Sequence, residues 1–255
     1  MEQDHAGAAQ AAGEVFYRFI WTAYDNLGKL ILANVLWFAM TVPFFTVFLC
    51  RRKMPDALYF AVFLGSILLS AIAYSSVAGL TFSIAEGRDT DVIREFFSRM
   101  KKSWRKSAVL SLAILAVALA AVADIRFYAG VRTSGILRVI LTGAGIFILF
   151  AAGMMQDYIF PLLAQRDIKA GDNLKTSAAL VIDNFGFTFI IFFQGLLLFF
   201  IFGVSLVGIP FFFASFPSLL FNTGLKVLSV RKYGMPGELR DEKRGWKEFW
   251  QPWKT

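Results

Sequence analysis

The feature of this sequence that most limits its fold is an unbroken uncharged run of 41 residues at 185–225. As one helix this run would measure about 60 Å, roughly twice the hydrocarbon thickness of a bilayer. The run must therefore reverse direction. The segment VGIP at 207–210 is the predicted turn, because proline cannot continue a helix interior. This one run thus predicts two membrane spans.

Four further apolar runs predict one span each. They lie at residues 30–50, 57–85, 107–123 and 139–164, and only the last contains a charge, at Asp157. Backbone polar groups in lipid have to bond within their own segment, and long runs without strand alternation are typical of helices. A composition of 57% hydrophobic and 17% charged residues argues against a soluble domain. We therefore expect an all-α integral membrane protein with six transmembrane helices.

The distribution of Lys and Arg predicts the orientation of these spans. If the N-terminus is inside, 20 of the 26 basic residues lie in inner segments and 6 lie in outer ones. Basic loops favour the cytoplasmic side, so both termini are expected there, and the RRK segment at 51–53 is the exception. The chain then divides into a disordered tail at 1–13, a six-span membrane domain at 14–232 and a basic, aromatic cytoplasmic tail at 233–255.

Two similar tetrapeptides, DNLG at 25–28 and DNFG at 183–186, each precede an apolar run. Their shared residues form a repeat signature, which consists of Asp25, Asn26, Gly28, Asp183, Asn184 and Gly186. Shifts of 77 and 158 residues also superimpose apolar residues spaced i, i+4, i+7 and i+11, which is one face of a helix. The pattern predicts three helical-hairpin repeats, each preceded by an amphipathic cytoplasmic helix that ends at a break. The middle unit has Lys102 and Ser103 where the other two units have Asp and Asn. The alternative to a repeat is a chance match among apolar segments.

Residues 91–106 contain a strongly amphipathic pattern. The apolar residues that we place on one face, the candidate docking face, are Ile93, Phe96, Phe97, Met100 and Trp104. Arg and Lys crowd the rest of the segment, which is typical of a helix lying in an anionic inner leaflet. The same pattern is typical of a helix that docks into a groove of a partner protein. The sequence leaves both interpretations open.

The sequence contains no visible catalytic constellation. Its single histidine, His5, has no partner for a metal site or a Ser/His/Asp relay, and no HExxH, P-loop or CxxC motif is present. Cys50 is expected to be packed, since a reactive thiol needs an activating base or a positive field. We expect no enzyme activity, metal or cofactor. The basic charge is better explained by orientation and lipid contact than by nucleic acid.

Asp157 is the one acid inside a predicted span, and it stands beside Gln156. An ionisable group in a span is expensive and is a functional candidate by default. The structural alternative is that it faces a wet cytoplasmic vestibule or pairs with a neighbouring Lys or Arg. The uncharged polar residues in spans are Asn34, Gln194 and Asn222. These are expected to hydrogen-bond across helices, and a polar substrate path lined by them is the second interpretation.

Three segments resemble a family of bacterial membrane proteins. NVLWFAMTVPFFT at 34–46 resembles the Asn-x-x-Trp and Pro-x-x-Thr pattern in the first span of the YesL-like proteins. IREFFSRMKKSWRKS at 93–107 is similar to the segment ahead of their third span, and DYIFPLLA at 157–164 resembles their Tyr-Ile-x-Pro-Leu stretch. The resemblance covers most of residues 14–232 and implies a multi-pass protein of the bacterial inner membrane.

Genes of this family often lie beside those of sugar ABC importers. The resemblance therefore implies a non-enzymatic accessory or assembly subunit of a carbohydrate (ABC-type) import system, with the lipid bilayer and importer permeases as partners. It does not supply a reaction. A small self-contained solute transporter or channel, which would use Asp157 and the polar span residues, is the second hypothesis. A membrane scaffold for envelope glycan enzymes is the third.

Overall fold

The computed structural model describes residues 2–49, 55–130, 135–166 and 168–235. These ranges are helical and contain no strand, so the predicted all-α class is confirmed. The elements are α1 (Glu2–Asp25), α2 (Leu27–Leu49), α3 (Asp56–Ala85), α4 (Val92–Gly130), α5 (Gly135–Gln165), α6 (Ala170–Asp183), α7 (Phe185–Val204), α8 (Gly208–Phe211) and α9 (Ser215–Arg231). Cys50, the RRK segment and the predicted C-terminal tail beyond residue 235 lie outside the described residues.

Five of the described helices are long and apolar enough to cross a membrane. These spans are Leu27–Val47, Asp56–Ala85, Val92–Tyr128, Gly135–Gln165 and Phe185–Val204. The length and composition of these helices are those of a multi-pass membrane protein. The sixth predicted span corresponds to α9, which has 17 residues. Its length of about 25 Å is less than the roughly 30 Å of the hydrocarbon core.

Helix α9 lies in the centre of the bundle. It packs against α1, α2, α3, α5 and α7, and 12 of its 17 residues are buried. Polar residues on α9 bond to α3: the hydroxyls of Ser218 and Thr81 are 2.9 Å apart, and Asn222 Nδ2 donates to the Ala78 carbonyl at 2.9 Å. Such bonds across helices are typical of membrane bundles. The polar side chains of α9 therefore find hydrogen-bond partners in the surrounding helices, which lipid could not provide.

The prediction of a disordered tail at 1–13 is wrong, because α1 begins at Glu2. The segment is rich in alanine, which has the highest helix propensity and allows close helix approach. Ala12 and Val15 are fully buried, and α1 packs against α9 and α7. Glu14 joins α1 to the end of α9 through an ion pair with Arg231 at 2.5 Å. Tertiary packing therefore orders a segment that looks like a tail in the sequence.

The chain breaks at both of the predicted Asp-Asn positions. Helices α1 and α2 meet at Asn26, and α6 and α7 meet at Asn184. Asn26 Nδ2 donates to the Thr22 carbonyl at 3.1 Å, and Asn184 Nδ2 donates to the Leu180 carbonyl at 3.0 Å. In each case the amide side chain bonds the carbonyl four residues earlier. The same local geometry therefore recurs at the two copies of the repeat signature.

The middle unit has no such break. Helix α4 runs from Val92 to Gly130 through Lys102 and Ser103, a length of about 58 Å. Ser103 Oγ donates to the Arg99 carbonyl at 2.8 Å, a contact that an intact helix accommodates. The expectation of a separate surface helix at 91–106 is therefore wrong. This segment is the first part of a span-forming helix.

The uncharged run at 185–225 reverses between α7 and α9, and the turn predicted at 207–210 lies inside this reversal. Gly208 is required there because a Cβ atom would collide with the backbone of Phe202. Helix α8 occupies only four residues of the reversal, so neighbouring backbone groups cannot all bond within a helix. In an apolar interior these groups need partners from elsewhere in the protein.

Asn34 of α2 supplies those partners. Its Oδ1 accepts hydrogen bonds from the backbone amides of Ala214 at 2.6 Å and Ser215 at 3.1 Å, at the start of α9. Its Nδ2 donates to the Ile209 carbonyl at 2.9 Å. The Asn34 side chain is fully buried, so water does not compete for these bonds. One amide therefore satisfies three backbone groups at the reversal.

We expect Asn34→Leu to destabilise the protein severely. Three buried backbone groups lose a partner, and each unpaired group costs about 1–3 kcal/mol. The thermal midpoint of the purified protein in detergent should fall by roughly 10 °C or more. The control is Thr46→Val, which removes a bond from an exposed hydroxyl to the Val42 carbonyl and should change stability by less than about 0.5 kcal/mol. Equal midpoints for the two variants would contradict this role of Asn34.

Candidate functional site

An open cavity of about 770 Å³ lies between the helices of the bundle. Five helices line it over short stretches, at 37–45 of α2, 67–74 of α3, 111–118 of α4, 153–160 of α5 and 192–199 of α7. Phe213 and Phe221 complete the wall. Each stretch rises about 10–12 Å along its helix. The volume falls within the range of small-molecule binding sites.

The wall of this cavity is mostly apolar, and 9 of its 21 residues are aromatic. Trp37 stacks on Phe213 with their ring centroids 5.7 Å apart, and Tyr74 meets Phe160 edge to face at 5.0 Å. Trp37 Nε1 also donates to the Ser70 carbonyl at 3.3 Å, which fixes the orientation of the indole ring. The aromatic walls are therefore held in place by their own contacts.

Asp157 of α5 is the only wall residue with an acidic or basic side chain. It is 3% exposed, and its Oδ2 has no hydrogen-bond partner among the described residues. The basic residue nearest to it in the sequence, Arg166, instead donates to Met235 Sδ at 3.2 Å. Burying a charged carboxylate without a partner costs several kcal/mol. Such a group marks the cavity as a candidate site.

Polar groups from other helices surround Asp157. Ser111 of α4 lines the cavity, and its hydroxyl also has no partner in the part of the chain that the structure describes. Tyr74 of α3 lines the cavity as well. In the sequence, Tyr74 and Ser111 are visible only as polar residues within uncharged runs, so neither was predicted as a site residue. Asp157 and Ser111 thus offer free bonding capacity to a guest molecule.

The structure separates the five polar residues that the sequence singles out in the spans. Gln156 and Asp157 line the cavity. Asn34 and Asn222 are fully buried and bond to backbone groups of other helices. Gln194 lies on α7 outside the cavity wall, and its buried Oε1 has no partner among the described residues. Two of the five therefore belong to the candidate site.

The candidate docking face on α4 is only partly exposed. Phe96 is fully buried and Met100 packs against the core, whereas Ile93, Phe97 and Trp104 are 51%, 41% and 48% exposed. The five residues cover an arc of roughly 100° around the helix, and the bundle contacts only one edge of it. The prediction of a single five-residue docking face is therefore wrong. The exposed residues Ile93, Phe97 and Trp104 form what we call the α4 stripe.

The repeat-signature residues do not line the cavity. Asn184 anchors the chain beyond α9, because its Oδ1 accepts from Lys232 Nζ at 2.7 Å and its Nδ2 donates to the Tyr233 hydroxyl at 3.1 Å. Asn26 forms the other junction. The remaining four members flank the two junctions: Asp25, Gly28 and Asp183 are exposed, and Gly186 is half-buried. The signature therefore shapes the junctions and does not contribute side chains to the site.

Ion pairs join helix ends on one side of the bundle. Lys226 of α9 pairs with Glu86 at the end of α3 at 3.2 Å, and Lys29 of α2 pairs with Asp89 at 2.8 Å. The hydrogen bond from Lys29 lowers the pKa of Asp89 below its ordinary value. These contacts, together with that between Glu14 and Arg231, define what we call the basic end of the bundle.

A polar network that was not predicted from the sequence joins α3 and α4. Ser83 Oγ donates to Glu95 Oε1 at 2.6 Å, and Arg99 donates to both Glu95 at 2.7 Å and Ser83 at 2.8 Å. The Arg99 side chain lies over Gly79, where a Cβ atom would collide with it. The signal in the sequence is the small-residue segment SSVAG at 75–79, which is typical of close helix contact.

Comparison with known proteins identifies no relative of this chain. No family model matches the sequence, and neither the curated proteins nor the solved structures give a match. The resemblance to the YesL-like proteins therefore stays a prediction. In the described ranges, no three His, Cys, Asp or Glu side chains are grouped so that they could hold a metal ion. The fold and the site define a multi-pass helical membrane protein with an open cavity between its helices.

Proposed function

We propose that this chain is a non-enzymatic solute transporter or channel, and that the cavity between its helices is its solute site. The observation that carries the proposal is Asp157, whose buried Oδ2 has no partner among the described residues and which lines a cavity of about 770 Å³. Ionisable groups inside membrane proteins commonly mark the path of a solute. A carboxylate that served only packing would have a partner within the bundle.

The proposed architecture has six crossings in three units, α1–α3, α4–α5 and α6–α9. The matching junctions at Asn26 and Asn184 support the relation between the first and the last unit. Helices α8 and α9 together form the sixth crossing, with the break between them satisfied by Asn34. Helices of all three units line the cavity. Sites between repeated units at membrane depth are typical of transporters.

The proposed location is the bacterial inner membrane, with both termini in the cytoplasm. Of the 26 basic residues, 20 lie in the segments that this orientation places inside. The basic end of the bundle, where α3 and α9 end and α2 begins, is then the cytoplasmic end.

Reporter fusions test this orientation directly. A fusion after Tyr233 should be active only with a reporter that works in the cytoplasm, and a fusion within 130–135 only with one that works in the periplasm. The physical reason is that Lys and Arg at the helix ends are retained on the cytoplasmic side. A periplasmic C-terminus would contradict the proposed orientation.

Transport through the cavity can be tested in liposomes that contain the purified protein. The probes are radiolabelled maltose, glutamate and tetraphenylphosphonium, which are a neutral, an anionic and a cationic solute. At least one should accumulate with time above protein-free liposomes. Ala118→Trp places an indole in the cavity wall and should reduce this uptake about tenfold, because filling a site excludes its guest.

The matched control is Ala120→Trp, because Ala120 is exposed and does not line the cavity. It should transport as the wild type does. Uptake of none of the three probes, or equal uptake by the two Trp variants, would contradict transport through this cavity.

An accessory subunit of a carbohydrate import system is the second candidate function. The observation that favours it is the α4 stripe, whose three large apolar side chains are exposed beside cationic neighbours. Phe97 and Trp104 are the expected anchors for a partner, because aromatic side chains bury the most area and a few such residues carry most of the energy of an interface.

Replacing both Phe97 and Trp104 by Ala should abolish co-purification of an importer permease in mild detergent, while the variant still inserts. Replacing Lys101 and Lys102 by Gln should remove only the salt-sensitive part of the binding, since exposed charges are screened. Asp157→Asn should leave the complex intact. If no permease co-purifies with the wild type, the accessory role is wrong.

A further inference from the structure

The cavity wall carries one acidic residue and no basic one. Among its 21 residues Asp157 is the acid, and no Lys, Arg or His is present. Two basic residues near helix ends are engaged elsewhere, Lys226 with Glu86 and Arg166 with Met235. A guest with one positive charge would favour the ionised form of Asp157 and offset the cost of burying it.

The rest of the wall suits a cation with an apolar body. Aromatic rings attract cations through their negatively charged faces, and they bury apolar surface at the same time. Trp37, Phe199 and Phe213 form one continuous aromatic group, with centroids of Phe199 and Phe213 5.2 Å apart. Tyr74 and Phe160 form a second group, and both line the cavity together with Asp157. The negative charge and an aromatic surface thus occur together.

Only six of the 21 wall residues have polar side chains, which is few for a sugar, and they are Thr41, Ser70, Tyr74, Ser111, Gln156 and Asp157. The Thr41 hydroxyl is already bonded to the Trp37 carbonyl at 2.8 Å, and the Ser70 carbonyl accepts from the indole of Trp37. Asp157 Oδ2 and the Ser111 hydroxyl have no partner among the described residues. A sugar would bury many hydroxyls against aromatic walls without partners, which is unfavourable for each one.

We infer that the cavity binds a lipophilic organic cation of single charge, with Asp157 as its counterion and the aromatic walls around its body. This inference rests on the proposed function and names the solute class for the same site. The volume of about 770 Å³ accommodates a cation of the size of a tetraarylphosphonium or an arylalkylammonium ion.

The test compares two probes of the same shape and opposite charge, tetraphenylphosphonium and tetraphenylborate. Binding of each to the full-length protein in detergent is measured by equilibrium dialysis, with empty micelles subtracted. The phosphonium should bind one per chain, and the borate at least about tenfold more weakly, because it brings a second negative charge to Asp157. Maltose is the neutral probe and should not compete.

Asp157→Asn keeps the size of the side chain and removes its charge. It should weaken phosphonium binding about tenfold to a hundredfold, the usual effect of losing a contact to a charged group. The matched control is Asp124→Asn on α4, which lies outside the cavity wall and should leave binding unchanged. If the Asp157 variant cannot be recovered, phosphonium binding is compared between Ala118→Trp and Ala120→Trp. Only Ala118→Trp should lose binding, because only Ala118 lines the cavity.

The outcomes separate this inference from the proposed function. Equal phosphonium binding by the wild type and Asp157→Asn, or equal binding of phosphonium and borate, overturns the cation site. Uptake of maltose or glutamate that Ala118→Trp blocks, without phosphonium binding, overturns the solute class and leaves transport through the cavity standing. Absence of both binding and uptake for every probe overturns both.

Discussion

The structure depends on how backbone groups are satisfied where the chain reverses inside an apolar bundle. Lipid and packed side chains offer no hydrogen bonds, so the reversal between α7 and α9 is possible only where another helix supplies them. Asn34 does so from α2 by bonding Ile209, Ala214 and Ser215. These bonds place the start of α9. The contacts of Ser218 and Asn222 with α3 then continue along the same helix, and the other spans pack around it.

This arrangement also explains where the cavity lies. Phe213 precedes α9 and Phe221 lies within it, and the two form one wall opposite the aromatic and small residues of the surrounding spans. The packing elsewhere is dense enough that Phe96, Leu80 and Leu220 are fully buried. The cavity is a region of less complete packing, and its wall contains the unpaired Asp157. Proteins commonly depart from ideal packing and polar satisfaction at functional sites.

The sequence predicts the features that depend on local patterns. Uncharged runs predict the five spans, and Asp-Asn predicts the junctions at Asn26 and Asn184. Features that depend on which helices are neighbours could not be predicted. The order of residues 2–13, for example, depends on packing against α9. Asp157 is visible in the sequence, but a cavity is a space between helices, and no residue pattern encodes it.

The uninterrupted α4 has a mechanical consequence. Trp104 of the α4 stripe and Ala118 of the cavity wall lie on the same rod, about 21 Å apart along its axis. An intact helix bends little, so a displacement at one position is transmitted to the other as a tilt. The junctions at Asn26 and Asn184 interrupt the corresponding helices in the other two units. In the unit that contains α4, the exposed α4 stripe and the cavity wall are therefore joined within one continuous helix.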